Sequence, residues 1–187
     1  VRRGVTADSL RRGIASNHLE AQLHRVRVQA GDHVCVPAGT LHAIMGGLLI
    51  AEIQQNSNTT YRVYDWGRVD VNGQARPLHV NKALEVIDFN RVEPAVGTPL
   101  LLPAEAGLRR EELCSNRYFT TERITLASDA VWQGACTGES LEIWGVLSGA
   151  VTVNGLPLAA VRFCLLPAAL GEYRIVAHSP ATLLRTY

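Results

Sequence analysis

Residues 31–65, GDHVCVPAGTLHAIMGGLLIAEIQQNSNTTYRVYD, decide the fold of this chain and carry its candidate chemistry. The stretch places His42 just after a tight Pro-Ala-Gly turn, then runs through an apolar strand into a polar segment that contains Arg62. Proline fixes φ and glycine permits conformations that other residues avoid, so the turn can aim His42 in one direction. We therefore expect one continuous segment of the chain to carry the residues of the site, including His42 and Arg62.

The surrounding sequence predicts short strands separated by turns, which is typical of a sandwich or barrel. Asn72-Gly73 is a strong hairpin signal, and another Asn-Gly ends the strand, turn and strand pattern of residues 141–155. Residues 92–103 contain three prolines and a glycine, so we place a domain junction there. The predicted strands of the first half are residues 33–36, 48–55, 61–69 and 78–87.

The N-terminal residues instead have helical spacing. Leu10 and Ile14 are four residues apart, which predicts a short surface helix capped by Thr6 or Asp8. A second helical spacing follows in residues 16–24. Residues 1–25 are therefore expected to form a short helical segment.

Composition excludes two classes of partner. Charged residues make up 19% of the 187 residues and the net charge is +1, without the basic excess of a nucleic-acid-binding protein. The longest apolar run is far shorter than the roughly 20 residues that cross a bilayer, so no membrane partner is expected. Four scattered cysteines without a C-x-x-C pair favour reduced thiols in a cytoplasmic protein.

The spacing that ends at His42 is a glycine, five residues, a proline, one residue, a glycine and two residues, and it matches the second metal-binding motif of cupin barrels. The segments HAI, LLIAEIQQNS and TTYRVYDW that follow resemble the type I mannose-6-phosphate isomerases, particularly their short bacterial branch. The resemblance continues through Arg76-Pro-Leu-His-Val-Asn-Lys82 to about residue 86 and, more faintly, over the C-terminal half.

The resemblance implies an all-β fold of two cupin-type, jelly-roll β-barrels after the helical segment. Residues 26–91 would form the remainder of the metal-site barrel, which would be incomplete, and residues 92–187 a second barrel without metal. Aligning Pro167 with Pro37 places Glu172 where His42 stands, so the second unit lacks the ligand pattern of the motif.

The family binds zinc with a Gln-x-His-Pro motif and a glutamate from a preceding segment, and with one downstream histidine. Only the downstream histidine has a match, His42, because the chain begins at Val1 and contains no Gln-x-His-Pro. A lone histidine beside a turn is more often an ordinary hydrogen-bonded residue, but the surrounding motif favours a metal ligand. We expect the C-terminal part of an isomerase, either a fragment or a naturally short relative, with zinc in the complete site.

The resemblance assigns the catalytic role to Arg62. A permanent cation would stabilise the negative charge of an enediol during interconversion of mannose 6-phosphate and fructose 6-phosphate. Along the strand after His42, Glu52 and Gln54 share one face, which could meet sugar hydroxyls inside a barrel or face solvent. The match to the family favours the first arrangement, so we expect both residues to bind substrate.

Two other functions are compatible with the residues. The missing upstream motif also fits a catalytically inactive sugar-binding or regulatory cupin. A different cupin enzyme, such as a metal-dependent dioxygenase, ranks last because it generally needs several ligands from paired motifs. In each case the exposed edges of an incomplete barrel would permit self-association.

Overall fold

The computed structural model describes residues 1–187, which form two compact units, residues 1–96 and residues 97–187. The helices lie mainly in the first unit, whereas every strand lies in the second. None of the helices combines the length and the apolar character that crossing a bilayer requires.

The predicted N-terminal helix, α1 (Ala7–Ala15), is confirmed, and it begins at a capping box. The Thr6 hydroxyl accepts a hydrogen bond from the Ser9 N–H at 3.2 Å, and the Ser9 hydroxyl accepts one from the Thr6 N–H at 2.9 Å. These bonds satisfy backbone donors that the first turn leaves unpaired. The buried side chain of Leu10 then points into the core of the unit.

A small apolar core holds the first unit together. It joins α1 to a 3₁₀ helix (Leu19–Gln22) and to α2 (Val80–Val86). Leu10, Leu19 and Ala83 come from the three helices, and Val63 comes from the segment that contains Arg62. That segment is therefore anchored by an apolar side chain on a helical scaffold.

The four strands predicted in the first half are wrong. Residues 24–79 form only an isolated β-bridge, Val69 to Ala75, and residues 78–87 contain α2 instead. An extended segment counts as a strand only when a neighbouring segment pairs with it through a ladder of backbone hydrogen bonds, and residues 33–36 and 48–55 take part in no such ladder. The turn at Asn72-Gly73 is confirmed, since the Gly73 N–H donates to the Asp70 carbonyl at 3.0 Å.

The second unit consists of two antiparallel sheets. One contains six strands in the order β1-β2-β3-β10-β5-β8, and the other contains four in the order β4-β9-β6-β7. The strands are β1 (Leu100–Leu102), β2 (Leu108–Ser115), β3 (Thr120–Leu126), β4 (Val131–Cys136), β5 (Glu142–Ser148), β6 (Ala150–Val153), β7 (Leu156–Ala159), β8 (Arg162–Leu166), β9 (Gly171–Ala177) and β10 (Ala181–Thr186).

This strand order is that of a jelly roll. From β3 to β10 the chain changes sheet at every connection except the β6–β7 hairpin, where Asn154 and Gly155 both have positive φ. Positive φ at both central residues is the signature of a type I′ turn, so the Asn-Gly prediction is confirmed. The apolar interior includes Ile124, Val146 and Leu183, all fully buried.

The mostly β architecture is confirmed, but the two predicted barrels are not. The two sheets of the second unit stay separate, with β8 and β7 as unpaired edges, and residues 26–91 form no sheet. A barrel requires its first and last strands to pair, which does not occur here.

Candidate functional site

The turn before His42 is fixed by its contacts with the end of α2. The Thr40 N–H donates to the Pro37 carbonyl at 3.1 Å, and Gly39 has φ +80°. A Cβ on Gly39 would lie 2.6 Å from the Val86 carbonyl oxygen, so only glycine fits. The exposed His42 ring follows this turn, with its Nδ1 atom 3.0 Å from the Thr40 carbonyl.

Arg62 is held through its backbone while its side chain stays unengaged. Its N–H donates to Nδ1 of His79 at 3.3 Å, and its carbonyl accepts from the His79 N–H at 2.6 Å. The next residue, Val63, is buried in the helical core. The half-buried Arg62 guanidinium makes no hydrogen bond or ion pair, so it can meet an anionic ligand.

Helix α2 connects the two candidate residues. His79 precedes its first residue and contacts Arg62, while the Gly39 turn lies against its C-terminal end. The Asp88 N–H also donates to the Gly39 carbonyl at 2.9 Å. Seven helical residues span about 10 Å. The Arg62 segment contacts one end of α2 and the Gly39 turn contacts the other, so the helix holds these two segments apart by roughly its own length.

Asp65 forms a bidentate ion pair with Arg76 close to Arg62. The Arg76 Nε donates to Oδ2 at 2.7 Å, and a second Arg76 N–H donates to Oδ1. The side chain of Asp65 is buried, whereas that of Arg76 is half exposed. The hydrogen bond from Arg76 lowers the pKa of Asp65 below its usual value, so the carboxylate stays ionised.

Glu52 and Gln54 are both exposed, and the alternate residues Ile53 and Gln55 are half-buried. Since no sheet or barrel surrounds this segment, the structure does not separate a lumenal face from a solvent face. Their role in binding substrate stays a prediction.

The described residues do not assemble a metal site by themselves. No three His, Cys, Asp or Glu side chains come together, so His42 stands alone as a predicted ligand. A catalytic zinc ion needs about three protein ligands and one open position. The residues present therefore supply at most part of a zinc site.

The second unit contains a network of buried charged and aromatic side chains around Glu142. Glu142 accepts hydrogen bonds from Trp144 at 2.9 Å, from Tyr173 at 2.5 Å and from two nitrogens of Arg185 at 2.8 and 2.6 Å. Burial alone would raise the pKa of Glu142, but the bonds from Arg185, Tyr173 and Trp144 outweigh it and lower the pKa. These partners satisfy Glu142 within the chain.

A second buried carboxylate, Glu122, extends this network. It accepts from Arg110 at 2.8 Å and from the Tyr187 hydroxyl at 3.0 Å. The Arg185 guanidinium lies 5.3 Å from the ring centre of Trp132. Aromatic rings and paired charges thus fill the space between the sheets at this end.

The sequence alignment placed Glu172 at the position of His42. Glu172 is exposed, and the inward position on β9 belongs to its neighbour Tyr173. The Tyr173 hydroxyl donates to Glu142, so it closes the network.

Sequence reasoning missed the residues that hold the candidate site in place. Asp65 and Arg76 lie in the quoted motif segments, but their pairing across eleven positions has no periodic signal. His79 lies in the quoted segment that ends at Lys82, and its contact with the Arg62 backbone gives it a structural role that no spacing in the sequence indicates. An acidic residue at the end of the strand-like run TTYRVYD was the signal that the sequence offered for Asp65.

Comparison with known proteins gives the family. No protein-family model matches the chain. It is 35% identical over 177 residues to a Bacillus subtilis (strain 168) protein named "Probable mannose-6-phosphate isomerase GmuF", which covers 91% of this chain and 54% of that protein. It is 38% identical over 126 residues to the mannose-6-phosphate isomerase of Streptococcus mutans, covering 67% of this chain and 39% of that protein. The chain thus spans about half the length, or less, of these curated relatives.

The structure agrees with the sequence matches. The crystal structure of a mannose 6-phosphate isomerase from Bacillus subtilis superposes with a TM-score of 0.83 and 30% identity, over 97% of this chain and 57% of that chain. With the jelly-roll order of the second unit, this match defines the class of protein as a cupin. Within that class the chain belongs to the mannose-6-phosphate isomerase family. The regulatory alternative is not favoured, because these relatives bear isomerase names.

Proposed function

We propose that this chain contributes the Arg62 side of an active site that interconverts mannose 6-phosphate and fructose 6-phosphate. The observation that carries the proposal is the half-buried guanidinium of Arg62, which has no hydrogen bond or ion pair while its backbone is fixed on both sides by His79. A positioned and unengaged cation suits a ligand on which negative charge develops.

The chemistry makes use of such a cation. Isomerisation moves a proton from C2 to C1 of the aldose through an enediol, and negative charge develops on the oxygens at C1 and C2. A guanidinium beside those oxygens stabilises the transition state more than the ground state, which is the condition for a faster reaction. Arginine also keeps its charge at every working pH.

Glu52 and Gln54 are proposed to bind the sugar hydroxyls. Both lie on the segment that joins His42 to Arg62, and both side chains are free to accept or donate hydrogen bonds from an exposed position. Carboxylate and amide groups are suited to recognising vicinal hydroxyls.

Zinc belongs to the proposed complete site, with His42 as one ligand. The residues described here supply one ligand where about three are needed, so they do not hold the ion by themselves. The family resemblance assigns the other ligands to a Gln-x-His-Pro motif and a glutamate upstream of it. Bound zinc would supply Lewis-acid polarisation of the sugar oxygens.

The proposed architecture is the one expected from the family. Residues 26–91 would be part of a metal-site cupin barrel, and residues 92–187 the second cupin. Large apolar side chains at Ile44, Leu48 and Leu49 are exposed, which supports a location against further strands. Exposed edges such as β8 support self-association, and a cytoplasmic location remains part of the proposal.

A hybrid enzyme tests the function directly. Residues 1–187 would replace the matched 54% of the Bacillus subtilis relative GmuF, and conversion of mannose 6-phosphate would be followed in a coupled assay. We expect zinc-dependent isomerisation, and a loss on the order of 10²–10³-fold in kcat for Arg62→Gln. Arg27→Gln, at an exposed arginine of the same unit, is the control and should keep full activity. A folded hybrid that binds zinc without isomerising the sugar would contradict the proposed reaction.

A further inference from the structure

A single buried carboxylate lies among three arginines next to the candidate catalytic residue. Asp65 is 8% exposed, and Arg62 precedes it by three positions while Arg68 follows it by three. Arg76 approaches the same carboxylate from the segment that leads into α2. Three cations therefore surround one anion that can bind only some of them closely.

Arg76 takes both oxygens of Asp65. Its Nε donates to Oδ2 at 2.7 Å and its Nη2 donates to Oδ1. This fork geometry matches the two carboxylate oxygens and is the strongest pairing an arginine can make. The hydrogen bond from Arg76 is the largest cause of the lowered pKa of Asp65, and the nearby charges of Arg62 and Arg68 lower this pKa further. Arg62 is thus within electrostatic range of Asp65 without bonding to it.

Arg68 has another interaction. Its backbone N–H donates to the Asp65 carbonyl at 2.9 Å, and its guanidinium lies 5.4 Å from the ring centre of Trp66. The Trp66 indole donates to Glu20 at 3.1 Å, which holds the ring in place. Among the three cations, Arg62 is the one whose guanidinium has no partner.

We propose that Arg76 keeps the guanidinium of Arg62 available to the ligand by occupying both carboxylate oxygens of Asp65. The inference rests on the proposed function, in which Arg62 meets the reacting oxygens of the sugar phosphate. Arg76 is then a positioning residue that acts through Asp65. Without it, the buried carboxylate would capture Arg62, because an unpaired buried charge is strongly disfavoured.

The inference is tested first without any ligand. The Nε–H signals of the arginines would be recorded by NMR in the 187-residue chain, in Arg76→Gln and in the double variant Asp65→Asn/Arg76→Gln. In the parent chain the Arg62 signal should exchange rapidly with water. In Arg76→Gln it should become protected at least tenfold, and in the double variant, which has no carboxylate to capture it, the protection should disappear. Unchanged Arg62 exchange in Arg76→Gln, or protection of Arg68 instead, would overturn the inference.

Ligand binding provides the second readout. Fructose 6-phosphate would be titrated into the same three proteins, and we expect the affinity to fall at least tenfold in Arg76→Gln and to recover to within about threefold in the double variant. A purely structural ion pair would not show this recovery, so equal losses in both variants would overturn the inference. Failure of every protein to bind, with the Arg62 signals changing as expected, would count against the proposed function and support the inference about Arg76.

Two further variants keep the test decisive. If Arg76→Gln does not fold, Arg76→Lys takes its place, because a lysine cannot bind both carboxylate oxygens and should leave Arg62 partly captured. Arg91→Gln removes an exposed arginine that pairs with Asp88 at 3.1 Å in the same unit. This matched control should leave both the exchange of Arg62 and the affinity unchanged, and an effect as large as that of Arg76→Gln would overturn the inference.

Discussion

The main chain of Arg62 is joined to His79 by two hydrogen bonds. The Arg62 N–H donates to Nδ1 of the ring at 3.3 Å, and the His79 N–H donates to the Arg62 carbonyl at 2.6 Å. Because His79 directly precedes α2, these bonds connect the candidate catalytic residue to the start of a helix. The orientation of Arg62 therefore depends on a residue seventeen positions away.

Replacing His79 should loosen Arg62 without unfolding the unit. His79→Leu removes the ring acceptor, so the amide of Arg62 should exchange with solvent at least tenfold faster in hydrogen-exchange measurements. His79→Asn is the matched variant, since its side-chain oxygen can accept the same bond, and it should exchange nearly as slowly as the parent. Equal exchange rates in His79→Leu and the parent would show that the ring does not hold Arg62.

Gly39→Ala should destabilise the first unit. The residue has φ +80°, and an added Cβ would lie 2.6 Å from the Val86 carbonyl, so the turn before His42 would have to move away from α2. We expect a loss of about 1–3 kcal/mol in the free energy of unfolding, measured by urea denaturation. Gly46→Ala is the control, because nothing lies within 4 Å of its Cβ position. A loss in Gly46→Ala as large as that in Gly39→Ala would contradict this explanation.

Glu142→Gln should weaken the second unit more than any surface acid. The carboxylate is 4% exposed and balances the mostly buried charge of Arg185, so the neutral amide leaves that guanidinium with only the longer ion pair to Glu122, at 3.7 Å. We expect a loss of about 3–5 kcal/mol. Glu139→Gln, at an exposed position with no partner, should change the free energy of unfolding by less than about 0.5 kcal/mol. Similar losses in the two variants would show that the network contributes little.

Glu111 should make the second unit sensitive to acid. Its hydrogen bond with Arg123, at 2.8 Å, lowers the pKa of the buried carboxyl to about 2, against 4.5 for an ordinary glutamate. A lowered folded pKa contributes stability that is present above about pH 4.5 and is lost as the pH falls towards about 2. Glu111→Gln should therefore lose less of its stability than the parent over that interval.

Thermal unfolding at a series of pH values would measure this effect. The matched control is Glu105→Gln, an exposed glutamate just before β2, which should keep the pH dependence of the parent. If Glu111→Gln and the parent show the same decline in acid, the Glu111 ion pairs are not its cause.

The sequence predicts elements whose signals are local. Leu10 and Ile14 with Thr6 gave α1, and Asn154-Gly155 gave the hairpin, because capping and turn conformation depend on neighbouring residues. The segment that became α2 was assigned as a strand, although Ala83 and Ile87 also fit a helical face. The packing of this segment against α1 favours the helix over the strand, and that packing is not visible in a single sequence.

The residues of the candidate site also fall into two groups, those with a local signal in the sequence and those without one. His42 and Arg62 could be singled out because they lie in recognisable segments, and their roles stay predictions. The pairing of Asp65 with Arg76 and that of Glu142 with Arg185 join residues eleven and forty-three positions apart. Such pairs follow from the folded geometry, since no period or spacing relates their positions.

The aromatic residues around Glu142 also give the molecule two optical reporters. Of the three tryptophans, Trp132 and Trp144 are buried side by side in the second unit with their ring centres 5.4 Å apart, while Trp66 is exposed in the first. Buried indoles emit at shorter wavelengths than hydrated ones. In a Trp66→Phe protein the tryptophan fluorescence would come from the jelly roll alone, so the melting of the second unit could be followed by itself without attaching a dye.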